Sequence, residues 1–457
     1  MAEVVVVGGG VAGLAAAARL SKLRHRVTLI ERNPTIGGAL RGIERDGFSW
    51  DSGAAMVALP AILRDLFRKS GRPLETYVDL RLINPARRHV FPDGSAVDLP
   101  TGSRGDQITA LDAGLGQGTG LQWAAYVDQQ AEQWHLLRNL VLDDPQGSSN
   151  LASRDVARLL HIRTSLARQL SRSLPDERLR RIASSGFELA GSSPARVPAY
   201  LAVESYVERS FGLWQAPGGM AALISALALR MAERAVDVRC TETVTAILTS
   251  AGAVAGVELS EGETITADVV VCAIDPRVVF GQLLPRSVAR NGRRVFRAAV
   301  AVTPPNITHV GLSGVVPPLP AETVLHGDPL LVIRQQLEPS IDATGETAAG
   351  LPARSAWTIL HRGGDDVDVL EALATRGIDV RSRLVARVDR RPGDIATETA
   401  TPSYGFEWNG RRVAARRAGL ANPLPGLHLI GASMYPVSAI HYAAWSAAHV
   451  AQLLGKA

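Results

Sequence analysis

The chain is poor in the residues that mark extracellular, metal-bound or nucleic-acid-binding proteins. It has two cysteines in 457 residues, Cys240 and Cys272, and both fall in segments that read as strands. A disulfide framework and a cysteine metal cluster therefore have no support, and a reducing cytoplasm is the expected compartment. Lysine is confined to Lys22, Lys69 and Lys456, so the pI of 9.5 rests on arginine. The formal charge of +5 is small for this length, and no Lys/Arg block is dense enough to point to nucleic acid. No uninterrupted apolar stretch reaches the ~20 residues of a membrane span. Neither a GxSxG elbow nor an HExxH pair occurs, which removes the commonest serine-hydrolase and zinc-protease signatures. No internal repeat or low-complexity tract is present.

What is present begins almost at once. Glu3-Val-Val-Val-Val7 is an apolar β run that enters the turn Gly8-x-Gly10-x-x-Gly13 and then an alanine-rich helix. A second β run, Arg26-Val-Thr-Leu-Ile30, ends at Glu31. Together these form a dinucleotide-binding βαβ unit. Gly8 permits the tight turn, Gly10 lets backbone N–H groups approach a pyrophosphate, and Gly13 lets helix and strand pack closely. The helix N-terminus faces the phosphate charge. Glu31 stands where an acid holds a ribose 2′-OH, which favours an unphosphorylated adenosine ribose, and Arg32 beside it joins the candidate cofactor residues. The run does not read as a signal peptide, because no basic residue precedes it and Glu3 sits at its start.

The rest of the chain divides by pattern. Pro60 to Ser70 reads as a helix with Ile62, Leu63, Leu66 and Phe67 on one face. Leu80 to Leu99 alternates like a hairpin that turns at Pro92-Asp-Gly94. From about Gln107 to Glu208 the pattern is helical, with glycine-rich loops at Gly114–Gly120 and Gly147–Ser149. Four strands follow a helix ending near Glu233: Val236–Cys240, Val244–Leu248, Val254–Leu259 and Val269–Ala273. The stretch from Pro276 to about Arg391 is mixed and resists assignment. A final helix is expected from about Ser438 to Leu454.

In order, these blocks resemble the FAD-dependent phytoene desaturase-like branch of the amine oxidase and protoporphyrinogen oxidase superfamily. Besides the fingerprint, the resemblance rests on Gly37-Gly38 with Phe48-x-x-Asp51-x-Gly53, and on Gly191-Ser-Ser-Pro194. It continues through Phe211-Gly-Leu-Trp214-x-x-Pro217-Gly218-Gly219-Met220, Ala267 to Pro276, and Leu424 to Pro436. The resemblance implies bound FAD and an α/β fold with a discontinuous Rossmann-like FAD-binding domain and a mixed α+β substrate domain. Residues 1–78, 212–285 and 395–457 are expected to form the first, and residues 79–211 and 286–394 the second, with a helical cap. It further implies that Gly37-Gly38 lies bare against the isoalloxazine ring, that Val244 sits where backbone groups hold adenine, and that Gly431-Ala432 approaches the flavin pyrimidine edge. The reaction implied is dehydrogenation of a long apolar, isoprenoid-like lipid by hydride transfer to flavin N5, with electrons passing to oxygen or a quinone. No second complete fingerprint supports a separate NAD(P)H site.

Two departures from the family pattern bear on the chemistry. The arginine that usually follows the glycine pair is replaced by Ala39-Leu40-Arg41, from which Arg41 is the candidate substitute. The last flavin-facing turn carries Pro436-Val437-Ser438-Ala439-Ile440-His441 instead of a glycine-rich Pro-Gly-x-Gly-x-Pro. Asp51 either stabilises cationic character or fixes a loop, since an Asp before Ser-Gly is commonly a turn acceptor. Tyr435, His441 and Tyr442 flank the expected flavin end. His441 is a candidate proton donor if the enzyme works as a reductase, or a structural histidine near a helix start. Along Arg154–Arg172, Leu159, Ile162, Leu166 and Leu170 make one apolar stripe. An interfacial helix drawing lipid from a bilayer has this pattern, and so has a surface helix over a core. The alternatives kept open are an amine or protoporphyrinogen oxidase, and a flavin-free prenyl-binding protein of the Rab GDP-dissociation-inhibitor type.

Overall fold

The computed structural model describes residues 1–144, 153–298, 302–336, 354–364, 367–399, 422–434 and 439–457. At its centre is a five-stranded parallel sheet in the order Leu427–Leu429, Val269–Cys272, Glu3–Val7, Arg26–Glu31, Asp237–Cys240. Its strands come from three widely separated stretches of the chain. The middle strand is a run of valines buried on both faces, as a parallel sheet covered on both sides requires.

The helix Val11–Lys22 is buried from Ala12 to Leu20. Alanine side chains let the helices Pro60–Ser70, Ala221–Glu233 and Ile440–Leu454 come close to it. Arg19, the one charged residue in that buried stretch, is neutralised by Asp65 at 2.8 Å. A three-stranded antiparallel sheet, Val244–Ser250, Ala253–Leu259 and Thr264–Thr266, leads from Asp237–Cys240 back to Val269–Cys272. Both cysteines lie at strand ends and are free.

The second sheet has seven strands in the order Leu384–Arg390, Asn306–Ser313, Arg354–His361, Leu331–Gln335, Glu322–Leu325, Arg87–Val90, Ala96–Leu99. Only Glu322–Leu325 and Arg87–Val90 run parallel. One face packs Val310, Leu331, Ile333 and Ile359 against the helix Val369–Ala374. The other face carries Ile307, Val324, Val332 and Leu360, joined by Leu189 and Ile395. Strands that are apolar on both faces show no alternation in sequence, which is why the stretch after Pro276 resists assignment.

Helices between Arg104 and Phe211 cover that second face. The break within Gly114–Gly120 separates Arg104–Leu115 from Thr119–Asp128, with Gly118 at φ +90°. The loop at 147–149 lies outside the described residues. The stripe along Arg154–Arg172 is not an interfacial helix. The segment breaks into Arg154–Leu159 and Leu166–Ser173, and Ile162, Leu166 and Leu170 are buried in the molecule's own core, leaving only Leu159 exposed. No helix among the described residues is long and apolar enough to cross a membrane.

Candidate active site

One cavity of about 850 Å3 runs from the fingerprint turn to the apolar face of the seven-stranded sheet. Its first end is built by local glycine geometry. Gly8 has φ +104°, and an added Cβ there would lie 2.7 Å from Ile274 Cγ2. At Gly13 an added Cβ would stand 1.9 Å from the Gly8 carbonyl oxygen. The chain itself requires both. Gly10 differs: its φ of −79° and ψ of 179° suit any residue, and an added Cβ would meet only Gly38 Cα, at 3.9 Å. The bareness of Gly10 serves the cavity, not the fold.

The helix Val11–Lys22 starts here with neither a side-chain cap nor an acid in its first turn. The Leu14 N–H donates to Gly10 O at 2.9 Å, which leaves the amides of Val11, Ala12 and Gly13 without intrahelical acceptors. Val11 and Ala12 line the cavity, so this end is an anion site. Glu31 lines it too. Its Oε2 accepts the Gly9 N–H at 2.7 Å, and its Oε1 accepts the N–H and Nδ2 of Asn33, both at 2.8 Å. A carboxylate has about four acceptor sites, so Oε2 retains room for one more donor, such as a ribose hydroxyl. The Glu242 N–H donates to Glu31 O at 3.1 Å, and this brings Thr243 and Val244 to the same end of the cavity. Arg32 lines the cavity, but its guanidinium donates to the carbonyls of Thr397 and Glu398 at 2.6 and 3.3 Å. It thereby ties the end of the helix Pro392–Thr399 to this wall.

Gly37 and Gly38 continue the lining. The Gly37 N–H donates to Gly9 O at 2.8 Å, and a Cβ on Gly38 would lie 3.1 Å from Gly10 Cα. The bare pair is needed for the two turns to meet as well as for the cavity. Arg41 does not line the cavity; its guanidinium pairs with Glu398 at 3.1 Å. Asp51 likewise lies away from the cavity and has the geometry of a loop-fixing acceptor. It is buried outside the lining, and its carboxylate accepts the N–H groups of Met220 and Ala221, each at 2.9 Å. Burial raises its pKa against the pull of those bonds. It holds the start of the helix Ala221–Glu233, where an anion complements the helix dipole.

At the other side, Gly431 has φ +101° and gives its N–H to Ser446 Oγ at 3.0 Å. Ala432 opens the short turn Ala432–Met434. Tyr435 and the departures at 436–438 lie outside the described residues. The helix Ile440–Leu454 starts against the cavity, which Ile440, His441 and Ala443 line. His441 is 3% exposed, and among the described residues neither ring nitrogen has a hydrogen-bond partner. Burial lowers its pKa to about 3. Burial thus favours the neutral imidazole over an imidazolium donor.

The far compartment is apolar, with Ile307, Val324, Val332 and Leu360 from the sheet facing Ile182, Phe187 and Leu201. One polar cluster interrupts it. Glu322 accepts from Arg87 at 2.5 Å and from Arg334 at 2.7 Å, and Arg87 also pairs with Glu208 at 2.7 Å. Burial works to raise the Glu322 pKa, but the two guanidinium groups hold it at about 2. Glu204 accepts from the Tyr442 hydroxyl at 2.8 Å. Burial, with the charge of Glu208 adding to it, lifts the Glu204 carboxyl to about 7 despite that bond. Sequence reading passed over these residues. The one available signal was Glu204 and Glu208 four apart on a helix, a like-charge spacing that costs stability unless something compensates. Among the described residues no cluster of His, Cys, Asp and Glu is arranged for a metal ion.

Free helix amides, a spare acceptor on Glu31 and a glycine that only a ligand requires fit the adenosine diphosphate of FAD. The model for "Flavin containing amine oxidoreductase" matches residues 11–316. A 4,4'-diapolycopene oxygenase of Methylomonas sp is 29% identical over 337 residues, 71% of this chain and 66% of its own. A zeta-carotene-forming phytoene desaturase of Myxococcus xanthus is 32% identical over 289 residues, 62% of this chain and 55% of its own. The chain thus spans less than two thirds of the length of each of these relatives. In fold it is similar to cyclohexylamine oxidase from Brevibacterium oxydans IH-35A, with a TM-score of 0.67 at 15% identity over 99% of both chains. With the family match extending over well more than half its residues, the chain belongs to the flavin containing amine oxidoreductases.

Proposed function

We propose that the protein is an FAD-dependent oxidoreductase that dehydrogenates a long apolar, isoprenoid-type lipid. The observation that carries this is the continuity of one cavity from the Gly10 cradle to the apolar compartment between helices and sheet. The carotenoid-directed names of the two relatives support the same substrate class. Bound FAD supplies a two-electron acceptor that takes a hydride at N5. The chain's own groups do the rest. Amides of Val11 and Ala12 would hold the diphosphate, and Glu31 the ribose. Val244 would border the adenine. Gly37, Gly38, Gly431 and the start of the helix Ile440–Leu454, which line the cavity, would border the ring, and the helix dipole there would favour negative charge. The apolar walls exclude water and align the lipid. In this reading residues 1–78, 212–285 and 395–457 form the cofactor domain, and 79–211 and 286–394 the substrate domain.

Electrons are proposed to leave to oxygen or a quinone, and the lipid to arrive from a membrane surface in the cytoplasm. The surface that suits an anionic bilayer is the helix Arg286–Ala298, which buries Ala289 and Phe296 and exposes Arg286, Arg290, Arg294 and Arg297. Flotation on phosphatidylglycerol vesicles tests this contact, and protein that stays at the bottom of the gradient counts against it.

The reading is tested by mixing FAD-loaded protein anaerobically with phytoene in micelles and following the flavin absorbance. Bleaching with growth of a polyene spectrum is expected. Flavin that is unmoved by polyenes but bleached by an amine such as putrescine overturns the lipid assignment.

A further inference from the structure

We propose that Glu204 accepts the proton released in the dehydrogenation, positioned for this by Tyr442. The proposal rests on the oxidoreductase reading above and names the group that completes it. The helix Val203–Phe211 turns Glu204, Ser205 and Glu208 to the cavity. The other charges there satisfy one another: Glu208 and Glu322 share Arg87, and Arg334 completes the set. Glu204 stands apart. Its bond comes from a neutral phenol, and among the described residues no arginine, lysine or histidine pairs with it. The pKa near 7 means that it exchanges a proton readily at neutral pH.

Forming a double bond removes two hydrogens from adjacent carbons. One leaves as hydride, carrying the two electrons by which FAD is reduced and the lipid oxidised. The second C–H then gives up its proton, and its bonding pair becomes the new π bond. In an apolar compartment that proton needs a base, and the Glu204 carboxylate takes it to become the acid. Tyr442 donates to the ionised form and keeps the carboxylate aimed. Among the described residues, the titratable groups that act on Glu204 are Tyr442 from the closing helix and Glu208 from its own. Glu132 and His135, on the packed helix Gln130–Leu137, are exposed, and Asp128 on the helix Thr119–Asp128 is held by Arg104 and Arg209.

The test compares wild type, Glu204→Gln, Glu204→Asp and Tyr442→Phe, all loaded with FAD, in anaerobic flavin reduction by phytoene. Glu204→Gln is expected to slow reduction by about 100-fold or more, the usual worth of a general base, with half-saturating lipid little changed. Glu204→Asp restores part of the rate, and Tyr442→Phe shifts the pH midpoint upward. A second readout needs no cofactor: infrared titration of the FAD-free protein shows a protonated-carboxyl band that disappears near pH 7 and is absent in Glu204→Gln. Wild-type reduction rates in Glu204→Gln overturn the proposal. So does a change confined to half-saturating lipid, which assigns Glu204 to binding, or an infrared band that survives the substitution. Wild-type protein that binds FAD and is never reduced by the lipid overturns the dehydrogenation reading instead, and the proposal with it.

Discussion

Asp51 accepts the backbone N–H of Met220 at 2.9 Å across 169 residues of sequence. Two motifs that look independent, Phe48-x-x-Asp51 and Pro217-Gly218-Gly219-Met220, are therefore one structural unit. The bond also explains Gly219, where φ is +100° and an added Cβ would lie 2.8 Å from Asp51 Oδ1.

If Asp51 is a helix anchor, Asp51→Ala costs stability and not chemistry. The loss expected is about 1–3 kcal/mol, from a missing cap and buried N–H groups left unpaired. Urea unfolding measures it, while the rate of flavin reduction per folded, flavin-bound molecule stays at the wild-type value.

Gly10 and Gly13 separate ligand from fold. Gly10→Val is expected to leave the melting temperature of the FAD-free protein near wild type and to weaken FAD binding by about 100-fold, close to 3 kcal/mol. Gly13→Val drives a side chain into the Gly8 carbonyl and lowers stability itself, by about 1–3 kcal/mol or more. Flavin titration and thermal melts on the same samples tell the two apart.

Glu322 sits between two guanidinium groups with 5% of its surface exposed. Glu322→Gln leaves Arg87 and Arg334 short of a counter-charge in a buried place. A loss of about 3–5 kcal/mol is expected in denaturant unfolding. A change near zero removes this cluster from the account of stability.

Four buried histidines make the fold acid-sensitive. Burial lowers the pKa of His441 and His309 to about 3 and that of His326 to about 4, and His89 moves the same way. Below pH 6.5 the unfolded chain takes up protons that the folded chain refuses. Stability therefore falls as pH drops from 6.5 toward 4 and 3, by up to about 1.4 kcal/mol per unit for each histidine. His441→Phe, similar in size and without a titrating ring, is expected to recover about 1–2 kcal/mol of that loss at pH 5 relative to pH 7. Urea unfolding of both proteins at the two pH values checks it, and parallel losses exclude His441 from the effect.

The nucleotide end was legible in sequence because its parts are neighbours in the chain. Gly8, Gly10 and Gly13 with the helix that follows, and Glu31 at the end of the next strand, lie within one βαβ unit. Their geometry follows from φ angles and the polarity of a helix end. The helix Pro60–Ser70 was readable for the same reason, and so was part of the hairpin expected over Leu80–Leu99: Arg87–Val90 pairs with Ala96–Leu99, but Arg81–Ile83 pairs with the distant strand Leu213–Gln215. The Arg154–Arg172 stripe was not, since an amphipathic face does not say whether it meets a core or a bilayer.

By itself, then, the sequence determined where the glycine cradle and its open helix end lie, since these depend on backbone conformations and dipoles set within a few residues. The tertiary structure decided what the acids do. Asp51 became an anchor through a loop far along the chain, and Glu204 met Tyr442 across 238 residues. A carboxyl's protonation and role depend on which partners and how much water surround it. Only assembly of the two sheets and the helices over them supplies those surroundings.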